Sequence, residues 1–261
     1  MAQSAEVLLP TSEHEAVDAF GDGSGITVVG GGTIVVPDMT YGRHRPQKAL
    51  VLRDAGLAGI RRDGGRVVIG AMTRVADLVD GPEPLASAAR GVADREVRNA
   101  ATIGGNLCAG EGNDAPRGDL QGPLIALGAQ VRSAGAGGER TEAVEDFLAG
   151  SPADRLVLSI EFAEAARTGY ARYDRPHAHT YTILAVSATA GAGGLDDLRI
   201  AVSGVGPHAV RLAAAEEAAR GGGDYAAALA DVQPRDDALA SGWYRARILP
   251  TLVARAVASL A

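Results

Sequence analysis

Two glycine-rich stretches, Val28-Val29-Gly30-Gly31-Gly32-Thr33 and Thr102-Ile103-Gly104-Gly105-Asn106, are the features of this chain that constrain its fold most strongly. Glycine adopts positive φ without strain and lets another group approach the backbone closely. Successive exposed N–H groups in such a turn form a concave site for anions. Two such stretches in one chain suit a ligand with two adjacent phosphates, which indicates a dinucleotide.

The same stretches are also compatible with ordinary tight turns, because the chain contains 35 glycines in 261 residues. Neither stretch fits the dinucleotide fingerprint of a Rossmann unit, since no third glycine opens a helix and Pro37 argues against a long helix after the first stretch. The β-branched residues 33–36 instead predict a strand. We therefore expect any phosphate to be bound by loop backbone and not by a helix dipole.

Composition excludes several classes of function. The net charge of −7 and the 4% aromatic content argue against nucleic acid as a partner. Cys108 is the single cysteine, so the chain cannot form an internal disulfide or hold an iron–sulfur cluster by itself, and we expect no metal site. The absence of a signal-like segment and of a long apolar run predicts a cytoplasmic protein without a membrane partner.

Hydrophobic periodicity and turn residues predict alternating helices and strands, hence an α+β fold. Thr11-Ser12 precedes a helical pattern that it can cap. The predicted helices are 13–20, 74–78, 84–92, 123–127, 209–219 and 243–260. The predicted strands are 26–29, 33–36, 50–52, 67–69, 129–132, 181–190 and 198–202.

Further motifs follow in a characteristic order. They are Arg98-Asn99-Ala100-Ala101 before the second glycine stretch, Pro116-Arg117-Gly118-Asp119-Leu120 after it, Tyr170-Ala171-Arg172-Tyr173-Asp174-Arg175, Gly204-Val205-Gly206-Pro207, and Trp243-Tyr244-Arg245 with Arg255-Ala256. Nearly end to end, the chain resembles the FAD-binding medium subunit of the molybdenum hydroxylases. That family includes the flavin subunits of carbon monoxide dehydrogenase and the flavin domain of xanthine dehydrogenase.

The resemblance implies a two-lobed FAD-binding domain of the vanillyl-alcohol-oxidase/xanthine-dehydrogenase type, with lobes at 1–55 and 56–163, and a C-terminal α+β domain at 164–261. It also implies an FAD-dependent oxidoreductase subunit that passes electrons between the iron–sulfur clusters of a partner and an acceptor. The partners would be a molybdopterin subunit and an iron–sulfur subunit. No catalytic acid or base of this chain is needed for that role.

The resemblance also assigns residues to noncovalently bound FAD. Backbone N–H groups of Gly30, Gly31, Gly32, Thr33 and Ile34, and of Thr102, Ile103, Gly104, Gly105 and Asn106, would wrap the pyrophosphate. Ile103 would present an apolar face toward the flavin. Asp119 would accept hydrogen bonds from ribose hydroxyls, although it is also placed to cap a helix. Arg172 would lie near the flavin edge or a phosphate, and its alternative is a solvated surface arginine.

Three departures from the family pattern favour an alternative function. Ile34 stands where the family has a small polar or acidic residue, His179 stands where it has aspartate, and the segment 109–114 lengthens a loop. His177 and His179 lack a third metal ligand nearby. Glu111 and Asp114 are candidate polar groups at the reactive face of the flavin, or belong to a surface turn. The alternative is a freestanding FAD-dependent enzyme acting on its own small-molecule substrate in biosynthesis.

Overall fold

Three β-sheets organise the chain in the computed structural model, which describes residues 5–110, 118–175 and 181–260. The strands are β1 (Glu6–Leu8), β2 (Ile26–Val29), β3 (Lys48–Val51), β4 (Ile60–Asp63), β5 (Arg66–Gly70), β6 (Gln130–Gly135), β7 (Arg140–Ala143), β8 (Arg155–Ala163), β9 (Arg167–Asp174), β10 (Thr182–Ala190), β11 (Arg199–Ser203) and β12 (Val210–Arg211). The helices are α1 (Glu13–Phe20), α2 (Val35–Thr40), α3 (Leu85–Gly91), α4 (Arg95–Ala100), α5 (Ile103–Leu107), α6 (Gln121–Ala126), α7 (Val144–Ala149), α8 (Ala213–Arg220) and α9 (Gly242–Ala258). The predicted mixture of helices and strands is confirmed.

The first sheet is small and parallel, with the order β1-β3-β2. Ser12 is the N-cap of α1, as the sequence predicts. Its hydroxyl accepts a hydrogen bond from the N–H of Glu15 at 3.2 Å. Phe20 of α1 and Leu50 of β3 are buried in one core, which also takes Leu156 and Leu158 of β8. The first sheet therefore packs against the second.

The second sheet is antiparallel and has the order β4-β5-β8-β6-β7. Its core is formed by side chains from the strands and from the helices between them, including Ile69 of β5, Leu85 of α3, Ile103 of α5 and Leu124 of α6. The third sheet is antiparallel with the order β12-β11-β10-β9, and α9 packs against β9 and β10. The helix α6 contacts β10 and β11, so it joins the second sheet to the third.

The predicted strand at 33–36 is wrong. Gly32 has φ +73° and turns the chain out of the first sheet directly after β2. The helix α2 then begins at Val35, with Pro37 in its first turn. Proline is tolerated there because the N–H groups of the first turn have no intrahelical acceptor. The positive-φ turn thus overrides the β propensity of Ile34, Val35 and Val36.

The second glycine stretch forms a short helix. Residues 103–107 form α5, and Thr102 is its N-cap. The hydroxyl of Thr102 accepts a hydrogen bond from the N–H of Gly105 at 3.2 Å, which satisfies one donor of the first helical turn. The expectation of loop backbone is therefore wrong for the second stretch, which forms a short helix, whereas residues 30–34 of the first stretch are loop backbone ahead of α2.

Candidate functional site

The first glycine segment, residues 30–34, lies between the C-terminal end of β2 and the start of α2. The N–H groups of Gly31, Gly32, Thr33 and Ile34 donate to no acceptor among the residues that the structure describes. All of these residues are half-buried. Buried or half-buried N–H groups normally have a partner, so four consecutive free donors indicate a site for an external acceptor.

The second glycine segment, residues 102–106, uses its backbone differently. The N–H of Ile103 donates to the Thr73 carbonyl and that of Gly104 to the Ala71 carbonyl, each at 2.9 Å. The N–H groups of Gly105 and Asn106 both donate to Thr102, to its hydroxyl and its carbonyl. The N–H groups from Ile103 to Asn106 are thus occupied within the fold. The hydroxyl of Thr102, which accepts from Gly105, still has its own proton to donate.

The two glycine segments meet in space. A Cβ added to Gly31 would overlap the carbonyl oxygen of Ala100, and one added to Gly30 would lie 2.9 Å from the Thr102 hydroxyl oxygen. A Cβ added to Gly105 would also lie close to that hydroxyl oxygen, at 3.1 Å. The Thr102 hydroxyl of the second segment is therefore adjacent to both Gly30 and Gly105. The sequence motif before the second segment, which contains Ala100, supplies the backbone surface on which the first segment rests.

Asn106 connects α5 to the segment that precedes α6. Its side-chain oxygen accepts a hydrogen bond from the N–H of Leu120 at 2.9 Å. Gln121, which the sequence analysis did not single out, is 1% exposed and donates to the carbonyls of Leu107 (2.8 Å) and Ala109 (2.7 Å). Its oxygen accepts from the N–H of Ala209 at 2.9 Å. The position of Gln121 in an otherwise apolar helix could have indicated that its side chain is buried and hydrogen-bonded to neighbouring segments.

The side chain of Ile103 lies in the protein core. It is fully buried in the core of the second sheet, against residues of the surrounding helices. Gly104 is also buried, and a Cβ on it would lie 2.9 Å from the Ala71 carbonyl oxygen and 3.0 Å from the Ala71 Cβ. The helical turn of α5 points the Ile103 side chain into this core, and its predicted apolar face toward the flavin stays a prediction.

Asp119 and Arg172 belong to a charged group around Tyr170. Burial raises the pKa of the Tyr170 phenol, and the carboxylate of Asp119 raises it further. Arg172, on the same strand as Tyr170, has the opposite effect, and its Nε lies 3.1 Å from Asp174 Oδ2. The guanidinium of Arg172 lies against Gly91 at the end of α3, where a Cβ on Gly91 would overlap its Nη1. Arg172 is thus a packed interdomain residue and not a solvated surface arginine.

Several candidate residues fall outside the described residues: Glu111, Asp114, His177 and His179. Their predicted positions near the flavin, or as a surface turn, stay predictions. Cys108 is the C-cap residue of α5, and burial of its thiol raises the pKa of that group. Within the described residues, no group of three or more potential metal ligands converges, and no helix is long and apolar enough to cross a membrane.

Comparison with known proteins gives a consistent result. The family model of the FAD binding domain in molybdopterin dehydrogenase matches residues 3–163. The chain is 30% identical over 276 residues to the carbon monoxide dehydrogenase medium chain of Hydrogenophaga pseudoflava, covering 95% of this chain and 94% of that one. It is 26% identical to the 6-hydroxypseudooxynicotine dehydrogenase complex subunit alpha of Paenarthrobacter nicotinovorans, covering 98% and 94% of the two chains.

The fold also agrees with that of a chain in a solved carbon monoxide dehydrogenase structure. Carbon monoxide dehydrogenase from Hydrogenophaga pseudoflava, in a form that lacks the Mo-pyranopterin moiety of its molybdenum cofactor, contains a chain that superposes with a TM-score of 0.83. The sequences are 28% identical, and the match covers 98% of this chain and 96% of that chain. The predicted fold, a two-lobed FAD-binding domain followed by an α+β domain, is confirmed.

Proposed function

We propose that this chain, which belongs to the family of FAD-binding domains in molybdopterin dehydrogenases, is a flavoprotein subunit that carries electrons between the iron–sulfur clusters of a partner and an external acceptor. The observation that supports the proposal most directly is the pair of adjoining glycine segments. One segment offers four consecutive N–H groups that have no acceptor in the described part of the chain, and the Thr102 hydroxyl of the other lies beside Gly30. This arrangement fits the diphosphate of FAD.

FAD, when bound, supplies the redox chemistry, and the protein supplies binding, orientation and electrostatics. Residues 31–34 would donate backbone hydrogen bonds to phosphate oxygens, at the N-terminal side of α2, where the aligned peptide dipoles also favour negative charge. The Thr102 hydroxyl would add a donor from the second segment. Asp119 would accept from hydroxyl groups of the cofactor. Arg172 would act on the cofactor from a greater distance than these groups, because its guanidinium packs against Gly91 at the end of α3.

Partner subunits follow from the relatives. The similar chains are medium or complex subunits of dehydrogenases with unlike substrates. A flavoprotein chain shared by such enzymes would serve the common electron path, whereas another chain would bind the substrate. We therefore propose one molybdopterin-containing partner and one iron–sulfur partner for this chain. The substrate of the complex is set by the molybdopterin subunit.

The test is to purify the chain alone and with the products of its neighbouring genes. We expect the isolated chain to carry FAD, to remain oxidised with small-molecule substrates, and to be reduced by substrate after assembly with both partners. Reduction of the isolated chain by a substrate of its own would overturn the subunit proposal in favour of the freestanding enzyme. Omitting the iron–sulfur subunit from the assembly is the matched control, because it interrupts the electron path.

A further inference from the structure

A groove on the C-terminal domain carries two arginines that have no charged partner among the residues that the structure describes. It has a volume of about 170 Å³ and lies between the last strand residues of β9 and one face of α9. Its lining residues are Tyr173, Arg247, Ile248, Thr251, Leu252 and Arg255. Arg247, Thr251 and Arg255 follow one another at intervals of four residues, so all three lie on the same face of the helix.

The groove brings two positive charges together on an acidic chain. The protein is acidic overall, with a net charge of −7. Many of its arginines are paired with carboxylates, for example Arg62 with Glu164 and Arg199 with Glu145. Arg247 and Arg255 form no ion pair with any residue in the described part of the chain, and both are exposed. Two unpaired cations that share one groove repel each other, and a bound anion would relieve that repulsion.

We propose that this groove is a binding site for a phosphate group. A guanidinium forms two parallel hydrogen bonds to phosphate oxygens, and two guanidiniums in one concavity can hold several oxygens of the same group. The hydroxyls of Thr251 and Tyr173 are further neutral donors at the same groove. Ile248 and Leu252 provide the apolar floor of the groove.

The groove is separate from the glycine segments. Tyr173 packs into the core between the third sheet and α9, whereas Tyr170 of the same strand packs toward the core of the second sheet. The groove therefore lies on the α9 side of the third sheet, and the flavin lobes lie on the other side. Its ligand is either free phosphate or the phosphate group of a small organic ester, and the site does not depend on the proposed electron transfer.

Isothermal titration calorimetry of the FAD-loaded protein tests the proposal, with inorganic phosphate and glycerol 3-phosphate as the two probes. The flavin absorbance is followed in parallel, so that displacement of FAD is not mistaken for binding. We expect saturable binding at physiological salt. A tighter complex with glycerol 3-phosphate would identify an organic ester, and a tighter complex with phosphate would identify the free ion.

The variants Arg247→Gln and Arg255→Gln should each weaken binding at least about tenfold, because each removes a charge-assisted hydrogen-bond donor. Arg61→Gln is the matched control, since Arg61 is an exposed arginine of the edge strand β4, outside the groove. It should bind both probes as the unmodified protein does. The proposal would be overturned if neither probe bound saturably, or if Arg247→Gln and Arg255→Gln bound the probes as tightly as the unmodified protein.

Discussion

The hydroxyl oxygen of Thr102 lies 2.9 Å from the position that a Cβ would occupy on Gly30. The two residues come from glycine segments far apart in the sequence, and this hydroxyl also caps α5 through the N–H of Gly105. A single side chain therefore stabilises one segment and faces the other. Substitution of Thr102 should therefore affect both roles together.

Thr102→Val should reduce both stability and FAD affinity, and Thr102→Ser should restore most of both. Valine keeps the shape of threonine but removes the N-cap acceptor, at a cost of about 1 kcal/mol in the free energy of unfolding. It also removes the donor proposed for phosphate. Urea unfolding and FAD titration of the apoprotein measure the two effects. An unchanged FAD affinity in Thr102→Val would remove this hydroxyl from the site.

Gly31→Ala should release FAD by separating the two segments. The added methyl group would overlap the backbone of Ala100, which cannot rotate away as a side chain can. Overpacking of this kind costs about 1–3 kcal/mol. We expect a lower flavin-to-protein ratio together with a lower midpoint in thermal unfolding. Gly193→Ala is the control, because a Cβ there meets no atom within 4 Å. Full flavin occupancy in Gly31→Ala would contradict the contact.

Gly105→Ala should weaken FAD binding while leaving the fold intact. Gly105 is exposed, and its Cβ would contact the Thr102 hydroxyl oxygen at 3.1 Å with no other atom within 4 Å. A methyl group at this place obstructs approach to the backbone, and we expect a loss of about tenfold in affinity. Circular dichroism should match that of the unmodified protein. If Gly105→Ala binds FAD with unchanged affinity, FAD does not approach the backbone of α5 at Gly105.

FAD should be released by acid denaturation. Neither glycine segment contains histidine or cysteine, the residues that most readily form covalent bonds to flavin, and both segments act through backbone and hydroxyl groups. After precipitation with trichloroacetic acid we expect a colourless pellet and a yellow supernatant. A yellow pellet would show covalent attachment and would direct attention to Cys108, the single cysteine of the chain, at the end of α5.

Glu111→Gln and Asp114→Asn should leave the rate of flavin reduction unchanged in the assembled complex. An electron-transfer subunit needs no general base, whereas removing a positioned base from an enzyme costs about 10²–10⁴ in rate. Stopped-flow reduction at equal FAD content is the measurement. A rate loss of that size in either variant would support the freestanding enzyme.

The sequence by itself determined much of the local structure and the family. Periodicity predicted α1 and β2, and Ser12 caps α1 as its position indicates. The motif order identified the FAD-binding family, because glycine segments, the Asp119 motif and the terminal arginine motif depend on residue identity and spacing. These features are local, and a single chain displays them without knowledge of its contacts.

Tertiary structure decided how the glycine segments work. The sequence of residues 102–106 does not predict that their backbone N–H groups donate to Ala71, Thr73 and Thr102. Among the described residues, it is residues 31–34 whose N–H groups have no acceptor. The strand predicted at 33–36 failed because the positive φ of Gly32 redirects the chain, a choice that β-branched side chains do not reveal. Ile103 points into the core because α5 packs on Ala71. Each of these outcomes depends on contacts between distant segments, and packing energy there outweighs local propensity.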